Sequence, residues 1–326
     1  MDVKKVLVTG GAGYIGSNCV EYLLNHDLQV LVFDNLSEGH RKAVDTRAQW
    51  VEGDLADSTL LTQTMKDFRP DAVMHFAANA LVGESMEKPM KYFRNNVGGG
   101  MNLLEAMLEA QVRRIIFSST CATFGIPDQI PIHENVPQNP VNPYGRSKLM
   151  FEQMLHWFSE LHDLQTVILR YFNAAGASEN FGEDHRVETH LIPNVIKVAQ
   201  GQKESVHIFG TDYPTPDGTC IRDYIHILDL AQAHFLALGC NSSNHFNLGT
   251  GGGNSVREVI DAVQQVSGRN IQVEEKPRRP GDPPRLIADA HKARETLGWS
   301  PEFQDINTII ESAWRWHVDH PNGYED

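Results

Sequence analysis

A short apolar strand, Lys5-Val-Leu-Val-Thr9, runs directly into Gly10-Gly11-Ala12-Gly13-Tyr14-Ile15-Gly16 and then into a helical pattern from about Tyr14 to Asn25. Few chain geometries accept glycine at these spacings. Gly10 permits the tight turn, Gly13 lets a ligand's pyrophosphate approach the backbone, and Gly16 lets helix and strand pack closely. The pyrophosphate then faces a helix N-terminus, where free N–H groups and the helix dipole favour an anion. The next apolar run, Val30-Leu-Val-Phe33, ends at Asp34, 18 residues after Gly16. A carboxylate there accepts hydrogen bonds from the adenine ribose hydroxyls and repels a 2′-phosphate, which selects NAD over NADP. The alternative is a glycine turn in an α/β protein that holds no cofactor.

Further strands are expected at Ala72–Phe76, Arg114–Ser118 and Val167–Tyr171, with helices at about Asn95–Ala110 and Tyr144–His162. The strands lack strict alternation, as when helices cover both sheet faces. Alternating strands and helices predict a Rossmann-type, doubly wound parallel α/β sheet with right-handed crossovers. After about residue 174 the loops lengthen and fill with Gly, Pro, Asn and Asp, as in Gly210–Gly218 and Lys276–Pro284. Residues 1–173 are therefore read as the NAD-binding domain. Residues 174–326 are read mainly as a smaller C-terminal substrate domain, with segments of about 223–248 returning to the sheet.

A formal net charge of −14 argues against a nucleic-acid partner, since phosphate backbones need a basic face. No apolar run reaches the roughly 18 residues a membrane span needs, and the residues before the first strand give no expectation of a secretory signal. Cys19, Cys121, Cys220 and Cys240 form no C-x-x-C pair and suggest neither a zinc site nor a disulfide framework. A reducing, cytoplasmic location is expected. None of the 15 histidines, His156 and His162 on one helix included, is assigned to a metal, because their spacing matches no known zinc pattern.

The sharpest chemical signal is Tyr144-Gly-Arg-Ser-Lys148. Residues four apart share one helix face, so the ammonium is expected to lower the pKa of the phenol and make it a base at neutral pH. Ser118-Ser119-Thr120 ends the fifth strand, at the sheet's carboxyl edge where ligands bind, and Thr120 lies 24 residues before Tyr144.

The G-x-x-G-x-x-G spacing, with Gly53-Asp54-Leu55, Phe76-Ala77-Ala78, Asn95 and the Thr120, Tyr144, Lys148 set, resembles the extended short-chain dehydrogenase/reductase family. Val82–Ser85, Asn142–Gly145, Leu169–Asn173, Asp212–Gly218, Ile221–His226 and Arg278–Asp282 narrow the resemblance to its UDP-galactose 4-epimerase branch. That resemblance implies catalytic roles for Tyr144, Lys148 and Thr120, Lys148 also holding the nicotinamide ribose. It implies cofactor contacts from Gly10, Gly13, Tyr14, Ile15, Gly16, Asp34, Asn35, Asp54, Leu55, Phe76, Ala77, Ala78, Asn95, Ser118 and Tyr171, besides Tyr144 and Lys148. Substrate contacts are implied for Thr120, Tyr144, Asn173, His190, Leu191, Phe209, Arg222, Arg279, Asp282 and Leu286.

The implied reaction is inversion at C4, between UDP-galactose and UDP-glucose, through a 4-keto sugar with NAD kept bound; a homodimer formed by two helices per subunit is also implied. Arg222 and Arg279 suit the pyrophosphate because a guanidinium fork matches its oxygens. Two positions depart from the family pattern. Ala80 stands where many members carry a Lys, which removes one cation near the phosphates. Leu286 stands where enzymes that reject N-acetylated sugars carry a Tyr, which suggests that UDP-N-acetylglucosamine is also accepted. A UDP-arabinose/xylose 4-epimerase and a non-catalytic NAD-sensing protein remain as alternatives. A 4,6-dehydratase is disfavoured by Cys121, where an acid is needed, and a decarboxylase by the lack of a partner for an acidic C6 group.

Overall fold

The structure, a computed structural model, describes residues 3–279 and 281–325. Seven parallel strands form the central sheet. Six of them are β1 Lys5–Thr9, β2 Gln29–Asp34, β3 Gln49–Glu52, β4 Ala72–His75, β5 Arg114–Thr120 and β6 Gln165–Tyr171. The order is β3-β2-β1-β4-β5-β6, extended at the β6 edge by Asn244–Leu248. The chain reverses direction between β1 and β4, so a crevice opens at their carboxyl ends. There Thr9 O accepts from both Phe76 N at 2.9 Å and Ala77 N at 3.1 Å.

Side chains of successive strand residues point to opposite faces, and each face has its own apolar core. Val6, Val8, Val30, Val32 and Met74 pack with Val20 and Leu23 of helix α1 (Tyr14–Asn25) and with Ile227 and Leu230 of the helix Ile227–Ala237. Leu7, Leu31, Phe33, Val73 and Phe117 pack on the other side against Leu61, Leu104, Met107 and Phe151. The run expected as one helix at about Asn95–Ala110 is a π-helical turn, Phe93–Gly99, followed by an α-helix, Gly100–Glu109. Such turns often mark functional positions.

The later part of the chain builds a separate apolar layer. Helices Leu191–Ala199, Val256–Ser267 and Ile306–Asp319 bury Ile196, Val259, Val263, Ile309 and Ile310 together with Ile208. Ile221–Arg222 pairs in parallel with Arg285–Leu286 and antiparallel with Asn254–Ser255, forming a three-stranded ribbon. Among the described residues no helix is long and apolar enough to cross a membrane.

Candidate active site

The glycine turn leaves β1 at Gly10, whose φ of +75° and whose position, where a Cβ would lie 2.4 Å from Ala77 N, both exclude a side chain. A Cβ on Gly16 would lie 2.1 Å from Gly10 O, so helix and turn meet only because Gly16 has none. Gly13 differs, because the nearest atom to a Cβ there is Gly10 O at 3.5 Å, an ordinary contact. The protein does not itself require glycine at 13, whereas a ligand approaching the backbone would. Helix α1 starts there without a side-chain cap, which suits an anion on its N-terminal N–H groups.

Asp34 is buried, and burial raises its carboxyl. Oδ2 accepts from Ala12 N at 3.0 Å and Oδ1 from Leu36 N at 2.8 Å. A carboxylate offers about four acceptor positions, so capacity remains for two ribose hydroxyls. Asn35 Nδ2 donates to Asp54 Oδ2 at 2.6 Å, and Leu55 O accepts from Asn102 Nδ2 at 2.8 Å. Phe76, Ala77 and Ala78 are half-buried at the crevice, and Ala80 is exposed. Ile15 packs against the α1-side core. The Tyr14 hydroxyl donates to Gly176 O at 2.6 Å and ties the glycine turn to the substrate half.

The chemical group comes from two elements. β5 brings Ser118 and Thr120 to the sheet's carboxyl edge, and the helix Pro143–His162 brings Tyr144 and Lys148. Asn142 starts that helix by accepting from Gly145 N at 2.8 Å, and Pro143 occupies its first position. Lys148 Nζ donates to Ser118 O at 2.8 Å and lies 4.8 Å from the Phe117 ring centre. The Ser118 hydroxyl bonds the Tyr171 hydroxyl.

The expectation that Lys148 lowers the Tyr144 phenol is not met. Burial pushes that phenol up to about 12, and the lowering influence on it is a hydrogen bond with Thr120. Lys148 is itself pushed down to about 7 by burial, with Glu152 opposing the shift.

Several supporting residues carry no sequence motif. Asn96 Oδ1 accepts from Asn79 N at 2.9 Å, and its Nδ2 donates to Asn79 O at 3.0 Å and to Ser147 Oγ at 2.9 Å. It clamps the loop after β4 to the Tyr144 helix. Asn95, the residue expected to face the cofactor, is half-buried and donates to Asn96 Oδ1 at 3.0 Å. Glu152, one turn beyond Lys148, forms a buried pair with Arg170 at 2.6 Å and also accepts from Ser119.

The residues expected to meet the substrate lie on the ribbon and nearby loops. Arg222 pairs with Asp282 and donates from Nη1 to Ile221 O at 2.8 Å. Arg279 lies over the Phe209 ring, 3.9 Å from its centre. Arg222 also lowers the Cys121 thiol, which burial drives up to about 12, so its charge reaches the residue after Thr120. Asp223, fully buried, accepts from Thr250 N at 2.8 Å, Gly251 N at 3.0 Å and Ala288 N at 3.0 Å. That set fixes the backbone beside Arg222, and Asp223 O accepts from Asn173 Nδ2 at 3.0 Å. Leu286 packs with Cys121 on the apolar cluster of Phe124, Ile132 and Phe172. His190 precedes the helix Leu191–Ala199, its ring held by Glu183 at 2.8 Å.

A Rossmann crevice with a Tyr–Lys pair at its edge defines a nucleotide-dependent enzyme of the short-chain dehydrogenase/reductase type. Residues 6–249 match the NAD dependent epimerase/dehydratase family, and the chain belongs to it. It is 53% identical over 327 residues to the UDP-glucose 4-epimerase of Halalkalibacterium halodurans, covering 98% of this chain and 97% of that protein. A crystal structure of a UDP-glucose 4-epimerase superposes with a TM-score of 0.97 at 51% identity, covering 99% of this chain and all of the other. The Bifidobacterium longum UDP-glucose 4-epimerase, solved with NAD+ and UDP, superposes at 0.94 with 39% identity, over 98% of this chain and 99% of that one.

Proposed function

We propose that this chain interconverts UDP-galactose and UDP-glucose by inverting C4. The observation that carries this is the meeting of Thr120, Tyr144 and Lys148 at the sheet edge between the glycine turn and the Arg222–Asp282 ribbon. Residues 1–173 hold the cofactor, with segments of about 223–248 joining their sheet, and 174–326 mainly hold the nucleotide-sugar. NAD bound along Gly10–Gly16 and Asp34 supplies the hydride acceptor and donor at C4. Thr120 hydrogen-bonds the sugar 4-hydroxyl and Tyr144 takes its proton, the phenol being lowered by its hydrogen bond with Thr120 and by the positive charge that bound NAD+ would bring beside it. Tyr144 returns the proton once the 4-keto sugar has turned over. Arg222, Arg279 and Asp282 keep the UDP half fixed while the sugar rotates, so remote contacts anchor what the reacting end cannot. Leu286, smaller than a tyrosine on the wall shared with Cys121, leaves room for an N-acetyl group, and UDP-N-acetylglucosamine is a second substrate.

The enzyme is proposed to be a cytoplasmic homodimer. Its four cysteines are free, in keeping with a reducing compartment. Met101 on one helix and Met150, Trp157 and Leu161 on the Tyr144 helix expose apolar surface, with Trp157 61% and Leu161 69% exposed, as a subunit interface requires.

The test is to incubate purified protein with UDP-galactose and no added NAD, and to identify the nucleotide released on denaturation. UDP-glucose formation with NAD in the released fraction is expected. No conversion, or conversion only with added NAD as a stoichiometric reactant, overturns the reading.

A further inference from the structure

Glu183, His185, Glu188 and His190 lie in one loop before the helix Leu191–Ala199, and each contributes a ligating atom to one cluster. These four atoms all lie within 4.8 Å of one another, and among the described residues they are the one such grouping of three or more metal-binding side chains. Glu183 and Glu188 have side chains only 6% and 4% exposed, whereas His185 and His190 are 26% and 52% exposed. Two buried carboxylates require a counter-charge.

The separations discriminate between two ways of supplying it. His185 Nδ1 stands 3.3 Å from Glu183 Oε1 and 3.3 Å from Glu188 Oε2, and His190 Nδ1 stands 3.2 Å from Glu188 Oε1. Charge-assisted hydrogen bonds close to about 2.7–2.9 Å, and of these contacts only His190 Nδ1 to Glu183 Oε1, at 2.8 Å, does so. Ligands held at about 2.0–2.1 Å from a tetrahedral metal are about 3.3–3.4 Å from each other, so three of the four contacts already stand near that spacing, while the group as a whole, spanning up to 4.8 Å, and Glu188 Oε1, which also accepts from His190 N at 2.7 Å, would draw in on an ion. Moreover, each Nδ1 faces two carboxylates, whereas one N–H points at only one. With both rings deprotonated, two imidazole nitrogens and two carboxylates gathered in one cluster are the donors a cation takes.

We propose that Glu183, His185, Glu188 and His190 form a structural site for a divalent transition metal of the zinc class. Two imidazole nitrogens and two carboxylate oxygens are a donor set for zinc rather than for magnesium or calcium, which take oxygen ligands. Four protein ligands close the coordination sphere, so the ion's work is to hold the loop rather than to activate water. What it holds is the seam between the two halves of the molecule. The His185 ring meets Tyr14 edge-on at 6.1 Å, and Tyr14 opens helix α1 at the glycine turn. His190, the last ligand, adjoins Leu191 at the start of the substrate-side helix. The site thus locks the substrate loop against the cofactor turn, and it stands whether or not the proposed sugar specificity holds.

The test uses the untagged full chain, stripped by a chelator and dialysed into metal-free buffer. Zinc titrated against a chromophoric competitor is expected to bind at about one equivalent per chain and to raise the thermal midpoint. Cobalt(II) in its place is expected to give the intense visible absorption of a four-coordinate ion. His185→Ala and Glu188→Gln are expected to weaken zinc binding more than about 100-fold, beyond the loss typical of a second-layer partner. Failure of the stripped wild-type chain to take up zinc, or an octahedral cobalt spectrum, overturns the proposal and leaves two histidine–glutamate ion pairs. Equal zinc affinity in wild type and folded variants overturns it too. If the variants do not fold, the wild-type stoichiometry and cobalt spectrum decide by themselves.

Discussion

The cofactor half and the substrate half of this molecule prepare their sites by different means. At the glycine turn the determinants are backbone atoms. Gly10 and Gly16 are forced by atoms 2.4 and 2.1 Å from where a Cβ would stand, and β1 and β4 are joined through Thr9 O. A seven-stranded sheet with a core on each face holds that backbone. On the substrate side the determinants are side chains on a ribbon whose strands are two residues long. There the proposed binding groups occupy one another, Arg222 on Asp282 and Arg279 on Phe209. Under the proposed mechanism, a cofactor that stays bound is matched to a rigid cradle, and a substrate that must enter, turn and leave is matched to partners that exchange.

The largest expected effect lies between the two halves. Tyr144→Phe should lower kcat about 10²- to 10⁴-fold, the usual contribution of a positioned acid–base group, while NAD content measured after denaturation stays at the wild-type level. Within the cradle, Gly16→Ala should destabilise the fold by about 1–3 kcal/mol through overpacking and lose NAD together with stability. Gly13→Ala should leave the denaturation midpoint of the nucleotide-free protein unchanged and yet reduce bound NAD. A Gly13→Ala protein that retains full NAD would break the assignment of that glycine to the ligand.

Arg222→Met should raise KM for the UDP-sugar about 10- to 100-fold, the value of a charge-assisted hydrogen bond, with NAD occupancy unchanged. Loss of NAD in that variant would mean that the halves are not separable. Lys148 gives a pH test. Its ammonium is pushed from 10.5 to about 7, so between those values the unfolded chain binds more protons than the folded one. Stability from this group therefore rises with pH across that window and is lowest below about pH 7. The thermal midpoint of nucleotide-free Lys148→Met should exceed that of wild type near pH 6–7, with the gap closing toward pH 10. The smallest change is at the pocket wall. Leu286→Tyr should lower kcat/KM for UDP-N-acetylglucosamine more than about 10-fold, within the range a steric change in a pocket produces, and leave UDP-galactose nearly unaffected.

What was legible before the structure follows the range of the interactions concerned. The turn at Gly10–Gly16 and the Tyr144–Lys148 spacing are local, set by a few consecutive φ/ψ angles and by helix periodicity, and both lie where the pattern puts them. The Asn96 clamp joins residues 17 and 51 apart, and the Asp223 cage joins residues up to 65 apart, so no short pattern marks either. The part of the π-helical turn from Asn95 to Gly99 reads as ordinary helix in the sequence because apolar spacing hardly differs over so few residues. The Glu183, His185, Glu188 and His190 quartet is contiguous in the chain, but its alternating spacing matches no familiar ligand pattern until the loop closes.

The sequence by itself determined the kind of fold and the cofactor class and singled out Tyr144 as the proposed reacting phenol, because glycine geometry, strand–helix alternation and an i, i+4 pair are local properties of the chain. The protonation chemistry of that phenol was decided by the tertiary structure. Spacing placed Lys148 beside Tyr144, but burial, a property of everything packed around them, set Tyr144 near 12 and Lys148 near 7. Desolvation sums over distant neighbours, and those neighbours are assembled only when the sheet, the Tyr144 helix and the substrate ribbon come together.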